Sequence, residues 1–345
     1  MNILLGSPTS KGIGGIARHV QGLSNFLKLQ GHTVEIISSE NTFTIPIKKL
    51  KNPSFMLSAF VKSSFKKNFD IVHAQGPPAA FAMKNASGKK VLSLHGIHHK
   101  QVKLLHGNSA GFLAEKYEKF ALKWADVITV SSKEMLDYYK EKGYDVELIP
   151  NALDIENLPQ GEDRRYEKQI IYAARLSEEK GIIDVLELSK KLPKDIHLVI
   201  LGDGPEKNKV KEVASTNSNV HYLGSKTKEE TIPLIRGSDI LIQPSLMEGG
   251  ISYTLLESLA CKTPVICTSV GGGKEFFIHL ENCYLVTPHD QNSILNGIDI
   301  LMSNSKIHET LSNLGYDSVQ KFNWKSIGLE YLKIYEKLLY ANKEK

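Results

Sequence analysis

Two carboxylates, Glu248 and Glu257, flank a pair of glycines and the start of an apolar helix, with eight residues between them. A carboxylate offers several acceptor lone pairs and no donor, which suits vicinal hydroxyl groups. Arg175 and Lys180 come just after an apolar run, Ile170–Ala173. Fixed cations at a strand end can neutralise charge that builds on a departing phosphate oxygen, without a metal. His95 follows another apolar run, and Gly14-Gly15 stand in a glycine-rich loop ahead of a helix. An acid, flexible backbone and the positive end of a helix converging on one point suit a polyhydroxylated, phosphate-bearing ligand such as a sugar nucleotide. The plainer alternatives are solvated surface charges for Arg175 and Lys180, an exposed helix glutamate for Glu257, and a structural histidine for His95.

The elements that must position these residues can be read from the apolar pattern. Short strands are expected at Ile3–Leu5, Val34–Ile37, Ile71–His73, Val91–Leu94, Val127–Val130 and Val146–Ile149. A helix over Ile16–Gln30 carries an apolar stripe of Ile16, Val20, Leu23 and Leu27, and Gly31 stops it. Further helical stretches are expected at Gly111–Lys123 and Lys133–Lys142. The polar stretch Leu158–Lys168 then breaks the pattern and is the best linker candidate. Strands resume at Ile170–Ala173, His197–Leu201, Val220–Tyr222, Ile240–Gln243, Val265–Cys267 and Tyr284–Val286, and Trp324–Tyr340 closes the chain as a long helix. Strand and helix alternate throughout, which argues for an α/β protein of two doubly wound, Rossmann-like parallel sheets.

The ordered series of motifs resembles glycosyltransferase family 4 (group 1), of GT-B architecture. Gly14-Gly15, IVHAQG (Ile71–Gly76), LSLHG (Leu92–Gly96), IPNALD (Ile149–Asp154), YAARLSEEKG (Tyr172–Gly181), LVILGDGPE (Leu198–Glu206) and the block Pro244–Gly272 occur in family order. The resemblance implies an acceptor-binding domain over residues 1–158, a nucleotide-sugar domain over 159–323, and a helix in 324–345 crossing back to the first domain, the two domains facing a central cleft. It implies a retaining glycosyltransferase of hexosyltransferase type, moving sugar from a nucleotide-diphosphate donor to a hydroxyl of a glycan, lipid-linked or small-molecule acceptor. By that resemblance His95, Arg175, Lys180 and Glu248 carry catalysis. Gly14, Gly15, Arg175, Lys180, Gly249, Gly250, Ile251, Tyr253 and Glu257 bind the donor. Glu257 is then the second glutamate of an E-x7-E pair. The chain departs from the pattern here, because strict register puts Gly249, not Glu248, at the first glutamate. The pair Gly249-Gly250 can absorb one inserted residue and leave Glu248 facing the sugar.

Composition limits the alternatives. At 345 residues the chain suggests about two domains. Its 43 basic and 38 acidic residues give +5, too mild to imply nucleic acid. Cys261, Cys267 and Cys283 lack paired metal-ligand spacing and fit structural thiols in a reducing cytoplasm. No Asp-x-Asp pair is evident, so no metal and no cofactor is expected. Neither a signal peptide nor a membrane span is evident, so a cytoplasmic protein is expected. Gly12-Ile13-Gly14-Gly15-Ile16-Ala17, with Glu40 downstream, nominally matches a dinucleotide fingerprint, which makes an NAD-dependent oxidoreductase the runner-up. A catalytically inactive sugar-nucleotide-binding protein is a third reading. Finally, the segment 47–69 interleaves Lys48, Lys49, Lys51, Lys62, Lys66 and Lys67 with Leu50, Phe55, Met56, Leu57, Phe60, Val61, Phe65 and Phe69. It reads either as a peripheral contact with the inner face of the membrane or as a helix packed on the first domain with solvated lysines.

Overall fold

The structure is a computed structural model that describes residues 1–12, 14–47, 50–66 and 68–340, the side chain of Leu105 excepted. Ile13 of the glycine loop and Lys48, Lys49 and Lys67 of the basic segment lie outside the described residues. The chain divides into two compact units. One is Met1–Ala152 together with the chain from Trp324 onward, and the other is Leu153–Asn323.

In the first unit the order is β1 (Asn2–Ser7), α1 (Gly15–Leu29), β2 (Thr33–Ser38), α2 (Lys51–Ser64), β3 (Ile71–Gln75), α3 (Phe81–Asn85), β4 (Lys89–Leu94), α4 (His98–His106), α5 (Asn108–Trp124), β5 (Val127–Val130), α6 (Lys133–Glu141) and β6 (Val146–Leu148). In the second it is β7 (Lys168–Ala173), α7 (Ile182–Ser189), β8 (Ile196–Leu201), α8 (Lys207–Thr216), β9 (Val220–Gly224), α9 (Lys228–Arg236), β10 (Ile240–Gln243), α10 (Tyr253–Ala260), β11 (Val265–Thr268), β12 (Tyr284–Val286), α11 (Gln291–Ser303) and α12 (Ser305–Val319). The final helix, α13 (Trp324–Tyr340), belongs to the first unit.

Each unit is a six-stranded parallel sheet, ordered β2-β1-β3-β4-β5-β6 in the first and β12-β11-β10-β7-β8-β9 in the second. Helices cover both faces, so strands such as β3 are buried end to end and read as continuous runs rather than alternations. In the first unit α1 and α13 pack one face through Val20, Leu23, Leu27, Ile327, Tyr331 and Tyr335. Helices α2, α3, α5 and α6 pack the other through Phe55, Ala59, Met83, Ala121, Leu122, Met135 and Tyr139. Two glycines allow α13 to lie on α1. A Cβ at Gly22 would sit 2.0 Å from Trp324 Nε1, and one at Gly328 would sit 2.5 Å from the Phe26 ring.

The polar stretch Leu158–Lys168 sits within the second unit. Leu158 is part of that unit's core, the Asp163 amide donates to the Pro233 carbonyl (2.9 Å), and Arg164 pairs with Asp239 (2.5 Å). Its charges are therefore surface ion pairs anchored to α9 and to the start of β10. The chain passes between units at Ala152/Leu153, ahead of that stretch.

Candidate active site

In an open parallel sheet, ligands bind beyond the carboxyl ends of the strands at the point where strand order reverses. In the second unit that point lies between β7 and β10: the chain builds outward through β8 and β9, then returns to the other side of β7. The loops after β7 and β10 meet there. Gly181 has φ +74, and a Cβ on it would lie 2.0 Å from the Pro244 carbonyl oxygen, so both conformation and space demand glycine. The Leu246 and Met247 amides donate to the Glu179 carbonyl (2.9 and 3.3 Å), fastening the second loop to the first.

This fastening brings Lys180 to Glu248. The Lys180 ammonium donates to Glu248 Oε2 at 2.6 Å, and the two side chains are 21% and 11% exposed. Glu248 Oε1 accepts from Ser245 Oγ (2.9 Å) and Gln243 Nε2 (3.1 Å). Gln243 in turn accepts from Ser252 Oγ (3.0 Å), the residue before α10. The carboxylate is thus held by three partners, Lys180 from the β7 loop, Gln243 from the end of β10 and Ser245 from its own loop. Arg175, in the same loop as Lys180, is half exposed and pairs with Glu179, whose Oε1 also accepts from Ser177 Oγ (2.8 Å).

The glycine run after β11 seats directly on the Glu248 loop. A Cβ at Gly271, which has φ +53, would lie 2.4 Å from the Glu248 carbonyl, and one at Gly272 would lie 2.8 Å from the Ile251 amide. Gly250, Ile251 and Tyr253 are buried, and Gly249 is partly buried. Glu257 is completely buried on α10, among the core residues Leu255, Leu256 and Leu259. It is therefore not a solvated helix glutamate. Asp203 serves as a turn residue, accepting from the Gly204 amide and Lys207 Nζ, both at 2.7 Å.

In the first unit His95 follows β4. Its Nε2 lies 2.8 Å from Gln75 Oε1, and its ring meets His19 of α1 edge-on with centroids 4.7 Å apart. Gln75 Nε2 lies 3.1 Å from His73 Nε2, and His73 Nδ1 lies 2.6 Å from the Tyr335 hydroxyl. Burial lowers the His95 pKa to about 4, against a hydrogen bond with Asn151 that raises it. Burial, then the charge on His95, lowers His73 to about 3. His19 falls well below the usual value through burial, then through His95 and His73. These imidazoles are neutral near pH 7. Since an amide oxygen only accepts, the proton of neutral His95 is placed on Nε2 by this network. His98 and His99 do structural work: His98 bonds the Tyr117 hydroxyl, and the His99 amide and ring bond Glu118, tying α4 to α5.

Sequence reading singled out none of His19, His73, Gln75, Gln243 and Ser245. For His73, Gln75 and Gln243 the signal was a polar residue in an otherwise apolar strand: His73 and Gln75 are two apart on one face of β3, and Gln243 ends β10.

Glu40, the acid of the nominal dinucleotide fingerprint, is occupied within its own loop. It accepts from Thr9 Oγ1 (2.8 Å), the Ser10 amide (3.0 Å) and Ser10 Oγ (3.2 Å). Burial pushes its pKa up, but the Ser10 amide and the Ser38 and Thr9 hydroxyls outweigh that and hold the carboxyl at about 2. Gly14 caps α1 in extended conformation, and among the described residues beyond its chain neighbours no atom lies within 4 Å of where its Cβ would stand.

Comparison with known proteins agrees with this geometry. The description "Glycosyltransferase Family 4" matches residues 13–157, and "Glycosyl transferases group 1" matches residues 154–318. The chain belongs to the group 1, family 4 glycosyltransferases. This glycosyltransferase is 25% identical over 320 residues to an uncharacterised glycosyltransferase of Methanocaldococcus jannaschii, covering 85% of this chain and 81% of that one. Its fold resembles sucrose-phosphate synthase of Thermosynechococcus elongatus with a TM-score of 0.81 at 21% identity, covering 99% of both chains. It also resembles HepE of Anabaena, solved with UDP-glucose, with a TM-score of 0.77 at 18% identity, covering 98% of this chain and 100% of that one. Both are GT-B proteins, and so is the glycosyltransferase described here. The family sets aside the oxidoreductase reading, in keeping with a Glu40 already spent on Thr9 and Ser10. Among its described residues no helix is long and apolar enough to cross a membrane.

Proposed function

We propose that the enzyme transfers a hexose, with retention, from a nucleotide-diphosphate sugar to a hydroxyl acceptor. The observation that carries this reading is the meeting of the β7 and β10 loops at the switch point. It puts Lys180, Arg175 and Glu248 beyond the ends of the neighbouring strands β7 and β10, in the loops ahead of α7 and α10. That HepE was solved with UDP-glucose supports a donor of this class.

In this reading the bond between the anomeric carbon and the diphosphate oxygen breaks, and Arg175 and Lys180 neutralise the charge left on the diphosphate. The backbone of Gly249, Gly250 and Ile251, and Tyr253 at the start of α10, face the phosphates and sugar. Glu257 accepts from the ribose hydroxyls, and Glu248 from the sugar. The acceptor oxygen attacks on the face the diphosphate leaves, and its proton passes to a diphosphate oxygen, so no protein nucleophile is needed. His95 presents its Nδ1 side to the transferred sugar or acceptor. Gly14 and Gly15 let backbone approach the donor, which fits a glycine at 14 that no atom among the described residues beyond its chain neighbours requires. The cations do the work of a metal, so none is bound.

The acceptor is a glycan, a lipid-linked or a small-molecule hydroxyl, and the basic 47–69 segment favours one reached at a membrane surface. A screen of nucleotide sugars for binding and slow hydrolysis tests the reading without an acceptor. Binding of nucleoside diphosphates with hydrolysis of at least one donor is expected. Absence of any nucleotide binding would overturn it.

A further inference from the structure

Charge is distributed unevenly along this chain. Between Ile47 and Trp124 there are fourteen lysines, no arginine and three acids, a net of +11 against +5 for the whole protein. The three acids are committed. Asp70 accepts from the Asn2 amide (2.7 Å), Glu115 pairs with Lys119 (2.9 Å), and Glu118 is buried against the Tyr139 hydroxyl (2.6 Å).

The same stretch exposes large apolar side chains. On α5, Phe112 and Leu113 are 62% and 64% exposed and Phe120 is also exposed, with Leu104 exposed on neighbouring α4. Phe112, Lys116 and Phe120 recur every four residues and share one face with Lys119 and Lys123. Lys116 Nζ stands 4.6 Å over the Phe112 ring. On α2, Leu57, Val61 and Phe65 form a second exposed stripe at the same spacing, while Phe55 and Ala59 face the core. The two stripes belong to one helical layer. Lys84 of α3 stands between the Phe60 ring of α2 (5.8 Å) and the Trp124 ring of α5 (5.4 Å).

We propose that this layer, with Phe112 and Leu113 of α5 at its centre, docks the enzyme on an anionic lipid bilayer. Leucine and valine gain nothing from phosphates or bases and need hydrocarbon. Lysines with no arginine among them are mobile point charges suited to a fluid field of headgroups, not to a fixed bidentate partner. An amphipathic layer of this kind lies in the interface, apolar side chains in the acyl boundary and lysines at the headgroups. The proposal extends the membrane contact suggested above for 47–69, and takes from that reading only that the acceptor is reached at a membrane.

The test is sedimentation of the full chain with neutral phosphatidylcholine vesicles and with vesicles carrying phosphatidylglycerol, at low and high salt, with no donor or acceptor. Its outcome is therefore independent of whether the transfer reaction is correctly assigned. Binding to the anionic vesicles alone, weakened by salt, is expected. Lys116→Gln with Lys123→Gln should weaken it by roughly 30-fold. Phe112→Ser with Leu113→Ser should weaken it at least tenfold while leaving the first unit folded, since both side chains are already in solvent. No binding at low salt, or equal binding to neutral vesicles, would overturn the proposal. So would binding that ignores Phe112→Ser with Leu113→Ser and is lost only on Leu57→Ser with Phe65→Ser. A dimer that dissociates on Phe112→Ser with Leu113→Ser would assign the face to a second copy of the chain and likewise overturn it.

Discussion

The Lys180–Glu248 pair offers the sharpest test of the site. At 2.6 Å, with side chains 21% and 11% exposed, it is neither a surface pair nor a fully buried one. At an effective dielectric of about 20 the gross attraction is on the order of 5 kcal/mol. Desolvation of the two groups takes back most of this, leaving a coupling of about 1–3 kcal/mol, above the ~0–1 of exposed pairs. The cycle comprises Glu248→Gln, Lys180→Met and the double variant. It is read by hydrogen exchange at the Leu246 and Met247 amides, whose bonds to the Glu179 carbonyl report local opening of these two loops. Nucleoside diphosphate affinity supplies a second reading. Lys180→Met should weaken it at least tenfold, the scale of one hydrogen bond to a charged group. Glu248→Gln removes the competitor for the ammonium and should leave binding unchanged or tighter, while slowing transfer if Glu248 meets the sugar. Additivity of the single variants within about 0.3 kcal/mol would show that the pair does not form in solution. Equal loss of diphosphate binding in both single variants would refute the separation of roles.

Further outcomes can be measured directly. Transfer should continue in EDTA, with neither Mg²⁺ nor Mn²⁺ raising it; loss that either ion restores would refute neutralisation by Arg175 and Lys180. Gly22→Ala should destabilise the first unit by about 1–3 kcal/mol, because its Cβ would meet the Trp324 indole. Both tryptophans, Trp124 and Trp324, lie in that unit, so their fluorescence in a urea titration reports it selectively. The pH dependence of the same unit follows from His73, buried with a folded pKa of about 3 against about 6.5 unfolded. The unfolded chain binds the extra proton between those values, so this stability is fully present above about pH 6.5. His73 should contribute a fall of about 1.4 kcal/mol per pH unit as the pH drops towards 3, and His95, held at about 4, a similar slope down to that value. A flat profile between pH 6.5 and 5 would show that these buried imidazoles, His73 included, are already protonated or open to water.

Much of this protein was legible in its residues because the governing interactions are local or periodic. Continuous apolar runs such as Ile240–Gln243 become parallel strands, since a sheet covered on both faces leaves no polar side. The demand for glycine at Gly181, Gly271 and Gly272 was not legible, because the backbone each one approaches belongs to another loop of the fold. The position of Leu158–Lys168 was not either, because a string of charges reads as a linker until Arg164 and Asp163 are seen tied to Asp239 and Pro233. Nor was the exposed stripe of α5: Phe112 and Phe120 have the same spacing as core residues, and only packing decides which face of a helix is turned inward.

The sequence by itself determined the alternation of strand and helix, the two parallel sheets and the ordered motifs that mark the family, because apolar periodicity and glycine sterics act over a few residues. The tertiary structure alone decided that Glu248 meets Lys180, and that His73 and Gln75 stand behind His95. Lys180 and Glu248 are 68 positions apart and Gln75 and His95 are 20, and only strand order in the sheet brings each pair within hydrogen-bond distance, with His73 joined to His95 through Gln75.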